Sequence, residues 1–125
     1  MSVVRRRKRK RTDLPGKFEP GFIAETNNST LLYKQLRRAF DEIVEDLGGE
    51  SDLSHLKATL IERTVFLEAM LTKIEHDLAT DPEAADRLLS RWTQAFNALV
   101  GAAKTLGIER RIREAPWSSP SGSSK

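Results

Sequence analysis

The sequence predicts an all-α protein built around one long antiparallel helical hairpin, with a shorter helix before it. Two stretches in the second half of the chain carry apolar residues at alternating three- and four-residue steps. That spacing places an apolar seam along each helix, and the short break at residues 80–82 is typical of a hairpin. The predicted seam consists of Leu53, Leu56, Leu60, Leu67, Leu71, Ile74 and Leu78, then Leu89, Trp92, Phe96, Leu99, Ala103 and Leu106.

Capping residues set the ends of the hairpin helices. Ser54 follows an apolar residue, as the N-cap of a second helix should, and that helix is predicted to run to about residue 79. Asp81 as cap and Pro82 as first residue predict the start of the third helix. Gly107 predicts its end in a left-handed conformation. Inside this helix Gly101 costs about 1 kcal/mol relative to alanine, which favours a close helix crossing there.

A shorter first helix is predicted from Ser29, as its N-cap, to Leu47, where two glycines stop it. Its cationic residues, Lys34, Arg37 and Arg38, precede four acidic residues, an order that opposes the helix dipole. One interpretation is a solvated face with internal i,i+4 ion pairs. The other is a basic patch that extends the contact of the preceding segment with a polyanion.

The predicted organisation has three parts. Residues 1–28 are expected to be a disordered basic arm and linker, and residues 114–125 a disordered tail rich in Pro, Ser and Gly. Residues 29–113 form the three-helix domain, with the central hairpin at 54–107. Only three apolar side chains stand out in the linker, and they are expected either to cover one end of the hairpin or to bind a partner: Phe18, Phe22 and Ile23.

The charge is distributed unevenly. The chain has 21 Lys and Arg against 18 Asp and Glu, and seven of the cations are consecutive. Removing those seven leaves 14 basic against 18 acidic residues, so a mildly acidic body carries a strongly basic arm. Such a run can neutralise phosphates and release their counterions, with a salt slope of up to about −6 on duplex DNA. The arm consists of Arg5, Arg6, Arg7, Lys8, Arg9, Lys10 and Arg11.

Motifs for catalysis, metal binding and membrane insertion are missing from the sequence. There is no cysteine, and the two histidines, His55 and His76, lack the partners of a catalytic or zinc site. There is no glycine-rich phosphate loop, no apolar run long enough to span a bilayer, and no apolar core of a signal peptide. We therefore expect a non-enzymatic cytoplasmic protein without a cofactor or a metal.

The hairpin carries more apolar residues than one seam uses. The first helix can cover some of them, and burial against further copies of the chain would cover the rest. We therefore expect a homo-oligomer, with the alternative that a monomer uses all of them internally. The residues expected at the oligomer interface are Ile61, Val65, Phe66, Met70, Leu88 and Val100.

Several short segments resemble one protein family. They are Leu36-Arg37-Arg38, Asp46-Leu47-Gly48-Gly49, Leu53-Ser54, Asn97-Ala98-Leu99-Val100 and Lys104-Thr105-Leu106-Gly107-Ile108-Glu109-Arg110. Together they resemble short helical proteins of phage and prophage gene clusters, some of them similar to small terminase subunits, the DNA-recognition components of packaging motors. The resemblance implies a ring built from the hairpin, DNA-binding segments outside it, and a C-terminal contact with the large terminase subunit.

This chain departs from that family by lacking an N-terminal helix-turn-helix. The resemblance then implies that the basic arm replaces it and that the tail, with Trp117, contacts the motor. The expected function is an oligomeric adaptor that binds double-stranded DNA through its phosphates. The alternative is a helical protein-interaction module whose arm only solubilises or localises it. A membrane-surface protein ranks last, because no amphipathic stretch adjoins the arm.

Overall fold

The computed structural model describes residues 9–107, except the side chain of Asp52, and this part of the chain contains three α-helices. They are α1 (Leu31–Asp46), α2 (His55–Thr80) and α3 (Ala85–Leu106), with short 3-10 turns at Glu50–Asp52 and Pro82–Ala84. Helix α2 contacts both other helices, and α2 with α3 forms the hairpin. The all-α fold class is therefore confirmed.

The outer ends of the hairpin follow the predicted caps. The backbone N–H of Lys57 donates to Ser54 Oγ at 3.1 Å, which makes Ser54 the N-cap of α2. Gly107 ends α3 with φ at 86°, in the left-handed region that favours glycine. The inner end differs from the prediction, because Pro82 begins a 3-10 turn before α3, and Asp81 makes no side-chain capping bond to it.

Helix α1 begins one residue later than predicted. Thr30 rather than Ser29 is its N-cap, because Thr30 Oγ1 accepts the backbone N–H of Tyr33 at 3.1 Å. The Ser29 hydroxyl instead donates to Asn27 Oδ1 at 2.8 Å, in the turn before the helix. Both residues are good N-caps, so the choice between them depends on that turn.

The segment before α1 differs from the predicted disordered linker. Residues 11–26, here called the N-terminal loop, are closed at their base by backbone hydrogen bonds. The N–H of Arg11 donates to Glu25 O at 2.8 Å, and the N–H of Asn27 donates to Arg11 O at 2.7 Å. Within the loop Phe22 and Ile23 are buried in the core. The predicted boundary between the disordered linker and the three-helix domain, at residue 28, therefore lies too late in the sequence, because the folded part already includes this loop.

Three aromatic rings attach the N-terminal loop to α2. Phe22 lies edge-on to Phe66 with centroids 5.5 Å apart, and Phe18 lies 5.8 Å from Phe66 and 6.1 Å from Phe22. The guanidinium carbon of Arg63 stands 4.5 Å from the centroid of the Phe18 ring, a cation–π contact. The loop therefore covers part of the hairpin, as the first interpretation of its apolar residues expected.

One carboxylate of α2 holds the tip of the same loop. Glu62 Oε1 accepts the N–H of Gly21 at 2.7 Å, and Oε2 accepts the N–H of Ile23 at 3.2 Å. Both donors belong to a run of turns at residues 20–25, and neither N–H has a backbone acceptor among the described residues. The carboxylate thus satisfies two donors that packing would otherwise leave without acceptors.

Replacing Glu62 by Gln is expected to reduce the free energy of unfolding by about 1–3 kcal/mol, because a neutral amide offers only one acceptor atom. Urea unfolding would measure the loss. Glu83→Gln is the matched control, since Glu83 is exposed on the Pro82–Ala84 turn. Equal midpoints for the two variants would show that the bonds to the loop contribute nothing.

The core lies between α2, α1 and the N-terminal loop on one side, and between α2 and α3 on the other. It contains five of the six side chains that the sequence assigned to an oligomer interface: Ile61, Val65, Phe66, Met70 and Leu88. Only Val100 is half-exposed. The assignment of the five is corrected here: α2 is buried on two sides, so these side chains pack inside a single chain.

Part of the predicted seam lies instead at the surface. Leu56 is 69% exposed, Leu89 is 51% exposed and Phe96 is 42% exposed. Gly101 is exposed as well, and a methyl group built on it would meet no atom within 4 Å. The predicted helix crossing at Gly101 is therefore absent from the described part of the single chain.

Candidate nucleic-acid interface

The basic arm meets the folded body at residues 9–11. Arg9 and Lys10 are both exposed. The Nζ of Lys10 donates to the backbone carbonyl of Ala24 at 3.0 Å, so the side chain lies along the N-terminal loop. The remaining arm cations, Arg5, Arg6, Arg7 and Lys8, lie outside the described residues. The described end of the arm therefore presents two accessible cations.

Arg11 has a different role from its neighbours in the run. It is half-buried, and its Nη2 contacts Glu19 Oε1 at 2.5 Å. Its Nε is buried and has no hydrogen-bond partner among residues 9–107. Its backbone also closes the base of the N-terminal loop. Arg11 therefore anchors the arm to the body, and the prediction that it contacts phosphate is weakened by this placement.

The three cations of α1 differ in their surroundings. Lys34 is exposed and forms no ion pair with any described residue. Arg37 pairs with Asp41 and Arg38 with Glu42, each at 3.3 Å. This pairing agrees with the first interpretation of the helix. Exposed pairs of this kind contribute about 0–1 kcal/mol, so a phosphate could compete for either arginine.

The arm and the start of α1 share one side of the molecule. Ala24, which accepts the bond from Lys10, lines a cleft of about 340 Å³ together with Tyr33 and Arg37. The loop residue that binds Lys10 and the N-terminal half of α1 therefore border the same cleft. This is the described part of the candidate interface: Arg9, Lys10, Lys34, Arg37 and Arg38.

Acidic residues border a neighbouring cleft. Glu68 of α2 lies in a cleft of about 510 Å³ that is also lined by residues 12–14 and by α1. Burial, and then the nearby carboxylate of Glu42, raise the pKa of Glu68 above its usual value. A polyanion would meet carboxylates on this side, so the electrostatics favour contact only at the arm and the N-terminal half of α1.

Sequence reasoning missed the two glutamates that hold the arm's base in place. Glu19 pairs with Arg11, and Glu62 binds the tip of the loop. Neither has a local signal, because their partners are 8 and 39–41 residues away. The one sequence signal for Glu62 was its position as a single acidic residue on an otherwise apolar side of α2.

Trp117 and the rest of the predicted tail at 114–125 lie outside the described residues. Within residues 9–107 no three His, Asp or Glu side chains are grouped to hold a metal ion. None of the described helices has the length and hydropathy required to cross a bilayer.

Comparisons with known proteins add no relative. No protein-family model, no curated protein and no solved structure matches the chain.

Proposed function

We propose that the protein is a non-enzymatic, oligomeric adaptor that binds nucleic acid, preferentially duplex DNA, through the phosphates. The observation that carries this proposal is the run of seven consecutive cations at Arg5–Arg11. Its described end lies beside the N-terminal half of α1. The geometry supports it further, because Lys10 binds the carbonyl of Ala24, and Ala24 lines the same cleft as Arg37.

The proposed mechanism is electrostatic. The arm follows the phosphate backbone and releases condensed counterions, while Lys34 and the two arginines of α1 add contacts from a rigid surface. Arg11 holds the base of the arm at a fixed point on the body through Glu19. No base-reading element is needed, because phosphate contacts position a protein without choosing a sequence.

The most concrete form of the proposal is a DNA-packaging subunit similar to small terminase subunits. Several copies would then display several arms, which turns weak single contacts into avidity. The segment around Trp117 would contact the large terminase subunit. Both features are those that the family resemblance implies.

The arm is tested by replacing Arg7, Lys8, Arg9 and Lys10 with Gln in the full chain and titrating fluorescent duplex DNA at several salt concentrations. We expect the slope of log K against log salt to become shallower by about 3–4, because four phosphate contacts are lost. Affinity at low salt should fall by more than about tenfold. Arg11 is retained because it supports the fold.

The matched control removes four cations elsewhere, at Lys17, Lys57, Lys73 and Arg87, and therefore has the same net charge. It should keep most of the slope of the unaltered protein. Equal slopes for the two variants would mean that binding follows net charge alone and would contradict the role of the arm. Circular dichroism of both variants verifies that the helices remain.

A second candidate is a helical protein-interaction module, and the apolar surface of α3 favours it. Leu89 is 51% exposed and Phe96 is 42% exposed, and both lie on the same face of α3. Under this function, duplex DNA would bind no better than heparin at matched charge. Competition of heparin against DNA therefore separates the two candidates.

A further inference from the structure

The outer side of α3 lacks charge over more than three turns. No Asp, Glu, Lys or Arg occurs from residue 92 to residue 103, although 31% of the chain is charged. Several side chains of this segment are nevertheless exposed, among them Thr93, Phe96, Asn97 and Ala98. A solvated helix face normally carries charges, so a charge-free exposed face indicates contact with another surface.

An apolar stripe runs along this side. Its members follow steps of three and four residues, so they share one face of α3, and each is exposed or half-exposed: Leu89, Trp92, Phe96, Val100 and Ala103. The rings of Trp92 and Phe96 are stacked at 5.1 Å with planes 5° apart. The stripe lies beside the buried line of Leu88, Ala95 and Ala102, which faces α2. It therefore continues the core of the hairpin out to the surface.

The charges that flank the stripe indicate what covers it. Asp86 and Lys104 are 18 residues apart, which is five helical turns, so they lie on the same flank of α3. The residue midway between them is Ala95, next to Phe96. If two copies of α3 pack antiparallel about that midpoint, the flank that carries Asp86 and Lys104 in one copy faces the same flank of the other copy. Asp86 of each copy then lies opposite Lys104 of the other.

We infer that a second copy of this chain covers the stripe, in a two-fold dimer with antiparallel α3 helices. The same stripe would serve both copies, with one carboxylate at its edge, since Trp92 Nε1–H donates to Glu75 Oε2 of α2 at 3.0 Å. The two hairpins together would form a four-helix arrangement. A two-fold contact closes on itself, so the product is a dimer with two arms, which replaces the ring that the family resemblance implies. The inference rests on the proposed function only in assigning DNA binding to the two arms of the dimer. The dimer is tested without nucleic acid, so the dimer and the proposed function can fail separately.

Light scattering of the full chain after size exclusion, at about 0.15 M salt, tests the dimer. We expect twice the chain mass of 14.1 kDa. A monomer at high micromolar concentration would overturn the inference, and a mass of three or more copies would overturn the two-fold geometry. Phe96→Asp should give a monomer with unchanged helicity. Leu31→Asp is the control, because Leu31 is an exposed leucine on α1 and its variant should stay dimeric.

A charge exchange tests the antiparallel geometry even if Phe96→Asp does not fold. Asp86→Lys replaces the opposite charges at each end of the contact by two positive charges, because the new lysine faces Lys104 of the other copy. The dissociation constant of the dimer should therefore rise about tenfold. Combining Asp86→Lys with Lys104→Asp restores opposite charges and should return the constant close to that of the unaltered chain. Additive weakening in the double variant would overturn the proposed pairing.

Discussion

Phe22→Ala is expected to reduce the free energy of unfolding by about 3–5 kcal/mol, the range for removing a fully buried aromatic ring. Phe22 is 1% exposed and lies edge-on to two other rings. Its loss leaves a cavity between the N-terminal loop and α2, which helix packing cannot close without moving the loop. Domains of this size have a total stability of about 5–15 kcal/mol, so a large share is lost.

Chemical unfolding followed by circular dichroism would measure the change. Phe40→Ala is the matched control, because the same side chain is removed from a half-buried position on α1. The control should lose clearly less stability. If the two variants lost the same amount, the N-terminal loop would not be part of the cooperative core. Salt-dependent DNA binding of folded Phe22→Ala should also fall, since the loop fixes the exit point of the arm.

Ile61→Ala is expected to reduce the free energy of unfolding by about 2–5 kcal/mol. Ile61 is fully buried within the single chain. The loss should therefore be intrinsic to each chain, and the native mass of the folded variant should match that of the unaltered protein. Leu56→Ala is the comparison, because Leu56 belongs to the predicted seam yet is exposed, and its loss should stay within about 0.5 kcal/mol.

Unfolding at several protein concentrations and the native mass together check this prediction. If the folded Ile61→Ala variant had a different native mass from the unaltered protein, Ile61 would belong to an oligomer interface. A stability loss for Leu56→Ala as large as that for Ile61→Ala would show that the predicted seam is the internal contact after all.

The fold could be predicted where its signals are local. Ser54 and Gly107 mark helix ends through bonds to residues within one turn, and the apolar repeat marks the hairpin. The division of apolar residues between core and surface was not predictable in this way. Periodicity shows that Leu56, Ile61 and Phe66 belong to apolar stripes, but only the position of α2 between α1 and α3 decides which stripe is covered.

The residues of the candidate interface were likewise predictable only where their signals are local. Consecutive cations identify the arm from composition alone, and the i,i+4 spacing predicts the pairs of Arg37 and Arg38. The anchoring role of Arg11 depends on Glu19 and on the backbone of Glu25, which a linear pattern does not connect. The contacts of the N-terminal loop with Glu62 depend on tertiary packing in the same way.

The contacts between the N-terminal loop and α2 also have a consequence during protein synthesis. Gly21 leaves the ribosome 41 residues ahead of Glu62, its partner. At about 5–20 residues per second, the aromatic segment around Phe22 therefore waits roughly 2–8 s for the helix that will bury it. The seven cations at 5–11 precede that segment, with six residues between them and Phe18. Their mutual repulsion opposes aggregation of nascent chains over this interval, so the arm would protect the chain before it has any ligand.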